Sequence, residues 1–112
     1  MPDTIFTKII HRQIPARIEY EDDTYIVIHD ITPQAPVHLL VIPKAVIPSL
    51  NDLSDKDASL VGGMYLIAKK VMATKGQSDY RTVFNCGPQA GQTVPHLHLH
   101  VLAGRSFTWP PG

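Results

Sequence analysis

The chain has 112 residues, of which 44% are hydrophobic and 18% are charged. This composition is typical of a folded domain, and the length allows one compact domain, which we expect over residues 1–112. Its 10 basic side chains are balanced by 10 acidic ones, and no run of basic residues occurs. We therefore expect a protein that does not bind nucleic acid.

The single cysteine, Cys86, excludes an intramolecular disulfide. We interpret it as a small buried residue near a strand end, with a nucleophilic thiol as the alternative. The N-terminal stretch MPDTIFTKIIHRQIP is too polar for a signal peptide, and no apolar run approaches the roughly 18 residues of a membrane span. These features predict a cytoplasmic protein with no membrane partner.

The first elements are a short helix and a strand hairpin. The helix begins after a capping residue, Asp3 or Thr4, and ends before Pro15. Two strands follow, Ala16–Tyr20 and Tyr25–His29, joined by an acidic turn. The apolar residues of the helix share one face: Ile5, Phe6, Ile9 and Ile10.

A third strand is predicted over Val37–Ile42, after the proline-punctuated loop DITPQAP. This run is apolar except for His38. Such a pattern suits a central strand that is buried on both faces.

The long helix gives the clearest periodic pattern. Ser54 can cap it, with Asp57 in a capping-box position, and Gly76 is the natural stop. The pair Gly62-Gly63 within it indicates close packing against another element or subunit. Apolar residues recur at helical spacing at Leu60, Val61, Met64, Ile67, Ala68, Val71 and Met72.

Two further strands complete the chain, Tyr80–Asn85 and His96–Leu102, separated by the glycine-containing loop GPQAGQT. The order is helix, three strands, helix, two strands. This order predicts an α+β fold with a five-stranded antiparallel sheet, one long helix and one short helix.

The last strand contains the stretch VPHLHLHVL, in which His96, His98 and His100 alternate with apolar residues. Alternate side chains of a strand point to the same face, so the three imidazoles should share one face. The other face should pack on the long helix. Three unrelated, partly exposed histidines are the alternative interpretation.

Two functional interpretations of the histidines are open. Histidines at alternate strand positions can share a zinc ion, with His38 or His100 as a further ligand. Alternatively, a neutral imidazole can attack phosphorus, while its neighbours orient it, stabilise oxygens or protonate a leaving group. The loop Gly91–Val94 can offer N–H groups to a phosphate, and the absence of a carboxylate cluster fits chemistry without magnesium.

The stretch HLHLHVL, residues 96–102, resembles the His-x-His-x-His-x-x signature of the histidine triad (HIT) superfamily. IFTKIIHRQIPA, HDITPQAPVHLLVIPK, GQTVPHLHLHVLAGR and the terminal WPPG look like its Hint branch, the purine nucleoside phosphoramidases. The likeness covers nearly the whole chain. It implies a HIT-like fold, a homodimer, and hydrolysis of the P–N bond of purine nucleoside 5′-phosphoramidates through a nucleotidyl-histidine, with no cofactor or metal.

The resemblance also implies individual roles. His98 matches the nucleophile, His96 the residue whose backbone carbonyl orients it, and His100 the residue that contacts the phosphate. His38 matches the fourth family histidine, which supports the triad from the neighbouring strand. Asp30 matches the carboxylate that accepts hydrogen bonds from the ribose, although it could instead cap a turn.

Further positions match the family's nucleotide pocket and are implied by the resemblance alone. Ile5, Phe6 and Ile9 could equally be ordinary core, Asn85 a turn residue, and Trp109 a packing anchor. Trp109 matches a tail residue that reaches toward the partner's site. The purine and ribose pocket comprises Ile5, Phe6, Ile9, Ile28, His29 and Ile31. The phosphate side comprises Asn85, Gly91, Gln92, Thr93 and Val94.

The chain departs from the branch at three places. Thr93 stands where serine is common, Pro95 replaces a residue that is usually aromatic, and Ala45-Val46 replaces more polar residues. These changes fall on the leaving-group side of the substrate.

Hydrolysis of dinucleoside polyphosphates, as in the Fhit branch, is the competing activity, against which the WPPG tail argues. A nucleotide-binding interaction protein with incidental turnover is the alternative outside enzymes.

Overall fold

The computed structural model describes residues 3–112 and has an α+β fold, which confirms the predicted class. Its five strands are all antiparallel and lie in the order β1-β2-β3-β5-β4. Within these residues no helix is both long and apolar enough to cross a membrane. The elements are α1 Ile5–Ile10, β1 Ile18–Glu21, β2 Tyr25–His29, β3 Val37–Pro43, α2 Ala58–Thr74, β4 Tyr80–Val83 and β5 Leu99–Ala103.

Thr4, rather than Asp3, caps α1. Its hydroxyl accepts hydrogen bonds from the N–H groups of Phe6 and Thr7, at 3.2 and 3.3 Å. The Thr7 hydroxyl in turn accepts from the N–H of Thr4, at 2.8 Å, which completes a capping box. The cap fixes the start of a helix that buries Phe6 and Ile9 against the sheet.

The central strands β2 and β3 are buried on both faces of the sheet, as predicted for β3. The two helices cover opposite faces, so alternate residues of these strands pack in separate cores. The α1 core contains Phe6, Ile9, Ile26, Ile28, Leu40 and Ile42. The α2 core contains Val27, Leu39, Val41, Met64, Ala68, Val71, Met72, Leu97, Leu99 and Val101.

The capping box predicted for α2 belongs to a 3-10 turn, Asp55–Asp57, that leads into the helix. There the N–H of Ser54 donates to the Asp57 carboxylate at 2.9 Å. Within α2, Gly63 allows the Tyr25 hydroxyl to approach and donate to the carbonyl of Leu60 at 2.7 Å. A Cβ at position 63 would lie 2.1 Å from that hydroxyl oxygen, so close packing explains this glycine.

The last strand begins three residues later than predicted, at Leu99 rather than at His96. In the β3–β5 register Val41 lies opposite Leu99, so continuing the ladder would set Leu97 opposite Pro43. Proline has no N–H to give to a ladder. The pairing between the strands therefore stops before it reaches the first two histidines.

The expectation that all three triad histidines lie on one regular strand is thus wrong. Only His100 lies within β5, while His96 and His98 lie in the segment that precedes it. The N–H of Leu97 donates to the carbonyl of Ile47 at 2.7 Å, which ties this segment to the loop after β3. The His98 and His100 rings are still neighbours, with centroids 5.1 Å apart.

Two other strand ends also differ. β4 ends at Val83, not Asn85, and its pairing with His100 stops one position short of Leu99, the first residue of β5. β1 covers Ile18–Glu21 rather than residues 16–20, and its pairing with β2 is irregular near Ile18. Both differences follow from long-range pairing.

Candidate active site

A cavity of about 560 Å³ opens on the α1 face of the sheet. It extends from the end of β2 across β3 to His98 and His100, because β3 lies between β2 and β5. The walls combine an apolar majority with a few polar groups, as in many small-molecule sites. The lining residues are Ile5, Phe6, Ile9, Ile14, Pro15, Ala16, Arg17, Ile28, His29, Asp30, Ile31, Leu40, Asn85, Gly91, Thr93, Val94, His98 and His100.

The orientation of His98 is set by the backbone of His96. The Nδ1 atom of His98 lies 2.7 Å from the His96 carbonyl oxygen, which can only accept, so Nδ1 carries the proton. In the neutral ring the lone pair is then on Nε2. Phe6 packs edge-on against His98 with centroids 5.0 Å apart and holds the ring from the other side. The structure therefore presents His98 Nε2 as a base or nucleophile.

The His96 ring is itself fully buried and does not line the cavity. Its Nε2 atom donates to the carbonyl of Pro43 at 2.7 Å. This bond joins the segment before β5 to the end of β3, at the place where the ladder stops. His96 Nδ1 has no hydrogen-bond partner within residues 3–112, which suits a neutral ring.

A second chain of hydrogen bonds sets the tautomer of His100. The backbone N–H of Gln34 donates to Nδ1 of His38 at 3.0 Å, so the proton of His38 is on Nε2. That Nε2 lies 2.9 Å from Nδ1 of His100 and donates to it. His100 therefore carries its own proton on Nε2. His98 and His100 thus differ in tautomer, one with a free Nε2 lone pair and one with an Nε2–H donor.

Burial keeps these four imidazoles neutral near pH 7. Desolvation lowers the pKa of His96 and of His98, and the carbonyl that each ring contacts opposes this only in part. Burial also lowers the pKa of His38, with Asp30 opposing. The pKa of His100 falls to about 4, because burial acts together with the nearby His98 and His38 rings. A neutral imidazole is the form that can act as a nucleophile.

Asp30 makes a turn-capping contact and also lines the cavity. One carboxylate oxygen accepts from the N–H of Thr32 at 2.8 Å, which is a turn-capping contact. The other lies 3.4 Å from Nε2 of His38, and the residue lines the cavity. Within residues 3–112, Asp30, His38 and His100 form a group that could hold a metal ion, with ligand atoms within 4.8 Å of one another. His96 and His98 each donate a ring N–H to a backbone carbonyl. The three triad histidines therefore do not point their lone pairs at one common metal position.

The loop before the triad is held by Gln92. Its amide nitrogen donates to the carbonyls of Pro48 and Val94, at 2.7 and 3.0 Å, and its amide oxygen accepts from the N–H of Gly87 at 3.0 Å. Gln92 thus shapes the loop and lies outside the cavity lining. Gly91 has a positive φ of 97°, a conformation that glycine adopts without strain.

The predicted pocket residues lie together in this cavity with few exceptions. Of the predicted site residues, four are absent from the lining: His38, His96, Gln92 and Trp109. The first three support the wall from behind through the hydrogen bonds described above. Trp109 is 82% exposed in the single chain. Ile31 lines the cavity although it is 95% exposed, so it lies at the rim.

Five lining residues were not predicted. Leu40 lies two positions after His38 on β3, and this alternation is a signal that could have found it. The other four lie between α1 and β1, and their contribution depends on how the chain passes over the sheet. They are Ile14, Pro15, Ala16 and Arg17.

Comparison with known proteins agrees with this geometry. Residues 3–108 match the family described as "Scavenger mRNA decapping enzyme C-term binding". A HIT-like protein of Synechocystis is 54% identical over 98% of this chain and 97% of its own length. A HIT family hydrolase from Legionella pneumophila has a TM-score of 0.95 at 46% identity, covering 98% of this chain and 100% of that one. A histidine triad protein from Clostridium difficile has a TM-score of 0.91 at 38% identity, covering 96% and 97%. The chain belongs to the histidine triad family.

Proposed function

We propose that this protein hydrolyses the P–N bond of purine nucleoside 5′-phosphoramidates, as the resemblance to the Hint branch implies. The observation that carries the proposal is the pairing of opposite tautomers in one cavity. His98 offers an Nε2 lone pair and His100 an Nε2–H, both in neutral rings. The similarity to a HIT family hydrolase supports the general reaction class.

The substrate's nucleoside lies at the β2 end of the cavity. There Asp30 has an oxygen within reach of His38 and can accept hydrogen bonds from ribose hydroxyls. The apolar walls suit a purine ring, which they recognise by shape rather than by its hydrogen-bonding edge. The wall residues on this side are Ile5, Phe6, Ile9, Ile28, His29 and Ile31.

In the first step His98 Nε2 attacks the α-phosphorus and forms an N–P bond. The P–N bond to the amine breaks, and the departing nitrogen keeps the electron pair and takes up one proton from the solvent, which the water of the second step returns. The His96 carbonyl, which accepts the hydrogen bond from Nδ1 of His98, stabilises the positive charge that develops on the ring. The Nε2–H of His100 donates to a phosphoryl oxygen.

In the second step water attacks the phosphorus of the nucleotidyl-His98 intermediate. A P–O bond forms, the bond to Nε2 breaks, and the water gives up one proton. The products are the nucleoside monophosphate and the amine, and His98 returns to its neutral form. The Thr93 hydroxyl and the loop at Asn85 and Gly91 contact the phosphate side. The proposed reaction uses no cofactor or metal.

A homodimer belongs to the same proposal. The face of α2 opposite the sheet carries Tyr65 and Leu66, which are 46% and 68% exposed. Beside it β4 is an edge strand, with Tyr80 37% exposed. Exposed apolar side chains next to an unpaired strand edge favour association with a second copy. In such a dimer Trp109 of one subunit reaches toward the other subunit's site.

Cleavage of adenosine 5′-phosphoramidate in the presence of a chelator tests the proposal. We expect the wild-type protein to release AMP and the His98→Ala variant to release none. His11→Ala is the matched control, because His11 is exposed and lines none of the cavities described here. Its rate should equal that of the wild type.

Other outcomes separate the alternatives. Turnover that needs added zinc would favour the metal interpretation. Cleavage of diadenosine polyphosphates in preference to the phosphoramidate would favour the Fhit-type activity. If AMP binds but neither substrate is cleaved, the protein is a nucleotide-binding module and the enzyme proposal is wrong.

A further inference from the structure

The loop between β2 and β3 supplies the first donor of the hydrogen-bond chain that sets the tautomer of His100. In that loop the backbone N–H of Gln34 donates to Nδ1 of His38 at 3.0 Å. Gln34 is exposed, and it lies between Pro33 and Pro36 in the sequence. Neither proline has an N–H with which to tie the loop to its surroundings. The position of the Gln34 N–H therefore depends on contacts from other parts of the chain.

The turn that follows β5 holds this loop at two points. Nε of Arg105 donates to the carbonyl of Gln34 at 2.9 Å, across 71 residues of sequence. Gly104 packs against Pro36, since a Cβ at position 104 would lie 2.9 Å from Cβ of that proline. The strand that carries His100 thus leads directly into the turn that anchors the loop.

The side chain of Arg105 is itself held in one place. Its Nη1 donates to the carbonyl of Ser106 at 2.9 Å, and its guanidinium carbon lies 4.1 Å from the ring centroid of Phe107. Across residues 3–112, no carboxylate lies within ion-pair distance of this guanidinium. A guanidinium that rests on an aromatic face is already oriented for hydrogen bonding. Arg105 is therefore placed to fix a carbonyl rather than to form an ion pair.

We propose that Arg105 is a positioning residue for the reaction. It fixes Gln34 by the carbonyl, so the Gln34 N–H stays on Nδ1 of His38 and the proton of His38 stays on Nε2. His100 then keeps its own proton on Nε2, where it can donate to a phosphoryl oxygen. Without Arg105 the Gln34 N–H can leave His38, and both rings can adopt the other tautomer.

This inference rests on the proposed function, and it gives a role to a residue that does not line the cavity. In Arg105→Met, kcat for adenosine 5′-phosphoramidate should fall about two- to tenfold, the range of the net contribution of one hydrogen bond. KM should change less, because the His100 donor matters most when charge develops on the phosphoryl oxygens. Arg105→Lys keeps a donor and should recover part of the loss.

Arg81→Met is the matched control. Arg81 also lies near Phe107, at 5.2 Å from the ring centroid, and it also donates to a backbone carbonyl, that of Thr108, at 3.0 Å. In the part of the chain that the structure describes, Arg81 makes no hydrogen bond to the loop between β2 and β3. Its kcat should equal that of the wild type. An equal fall of kcat in the Arg81 and Arg105 variants overturns the proposal, because the effect would then come from the last residues of the chain.

The histidine ring nitrogens test the mechanism without turnover. ¹⁵N NMR of protein labelled in its histidine rings distinguishes a protonated ring nitrogen from an unprotonated one. We expect the proton of His100 on Nε2 in the wild type and in Arg81→Met, and a mixture of both tautomers in Arg105→Met. An unchanged tautomer in Arg105→Met overturns the proposal. If the wild type cleaves no phosphoramidate, the proposed function is wrong, whereas the NMR comparison still decides whether Arg105 sets the tautomer.

Discussion

Acidification should destabilise the protein through its buried histidines, and His100 gives the magnitude. Its pKa is about 4 in the folded protein against 6.5 as the ordinary value. Between these values the unfolded chain binds a proton that the folded protein does not, so stability falls as the pH decreases. From pH 7.5 to pH 5.0 this single group removes about 2 kcal/mol from the free energy of unfolding. The lowered pKa values of His38, His96 and His98 act in the same direction.

Urea denaturation at pH 7.5 and at pH 5.0 measures this effect, in wild type and in His100→Gln. The variant lacks the titrating ring, so its loss of stability on acidification should be smaller than that of the wild type by about 2 kcal/mol. The pKa values of the paired carboxylates Glu19 and Glu21 are lowered in the folded protein. The interval from pH 7.5 to pH 5.0 therefore lies above the pH at which these two carboxylates take up protons. Equal pH dependence in both proteins would show that His100 is not held neutral by its surroundings.

Two further predictions concern packing. Leu99→Ala should lower the free energy of unfolding by about 2–5 kcal/mol, because Leu99 is fully buried in the α2 core. A loss below about 1 kcal/mol in urea denaturation would contradict that packing. Gly63→Ala should lower the free energy of unfolding by about 1–3 kcal/mol, since the new Cβ meets the Tyr25 hydroxyl. Tyr25→Phe removes that hydroxyl, so combining the two changes should recover part of the loss. Additive losses in the double variant would argue against the contact.

His98→Ala needs a measurement of stability beside the assay of activity. His98 is only 8% exposed and packs against Phe6. Removing the ring leaves space in the cavity wall and a carbonyl of His96 without its donor. Loss of activity is therefore informative only if the thermal unfolding of the variant shows a folded protein at the assay temperature.

Those features that depend on local rules could be predicted from the sequence. The cap of α1, predicted as Asp3 or Thr4, the periodicity of α2 and the two-sided burial of β3 each depend on residues close together in the chain. Each is correct in the structure to within a few residues. Of the pair Gly62-Gly63, for which close packing was predicted, Gly63 packs against Tyr25, which is distant in sequence, whereas a Cβ at Gly62 would meet nothing within 4 Å in the single chain.

Features that depend on pairing between distant strands could not be predicted. The alternation of His96, His98 and His100 indicates a strand, but the start of β5 depends on Pro43, which lies opposite the continuation of its ladder. The cavity wall formed by Arg17 depends in the same way on how the chain crosses the sheet after α1. Neither relation is visible in the local pattern of either segment.

The chemical difference between His98 and His100 also depends on distant backbone groups. Both residues belong to one repeating motif, yet one ring donates through Nδ1 to a carbonyl and the other accepts at Nδ1 from His38. His38 can donate only because the N–H of Gln34 occupies its other nitrogen. The N–H of Gln34 and the carbonyl of His96 thus give two identical side chains complementary proton states. The proposed reaction needs both states, one for attack on phosphorus and one for stabilisation of its oxygens.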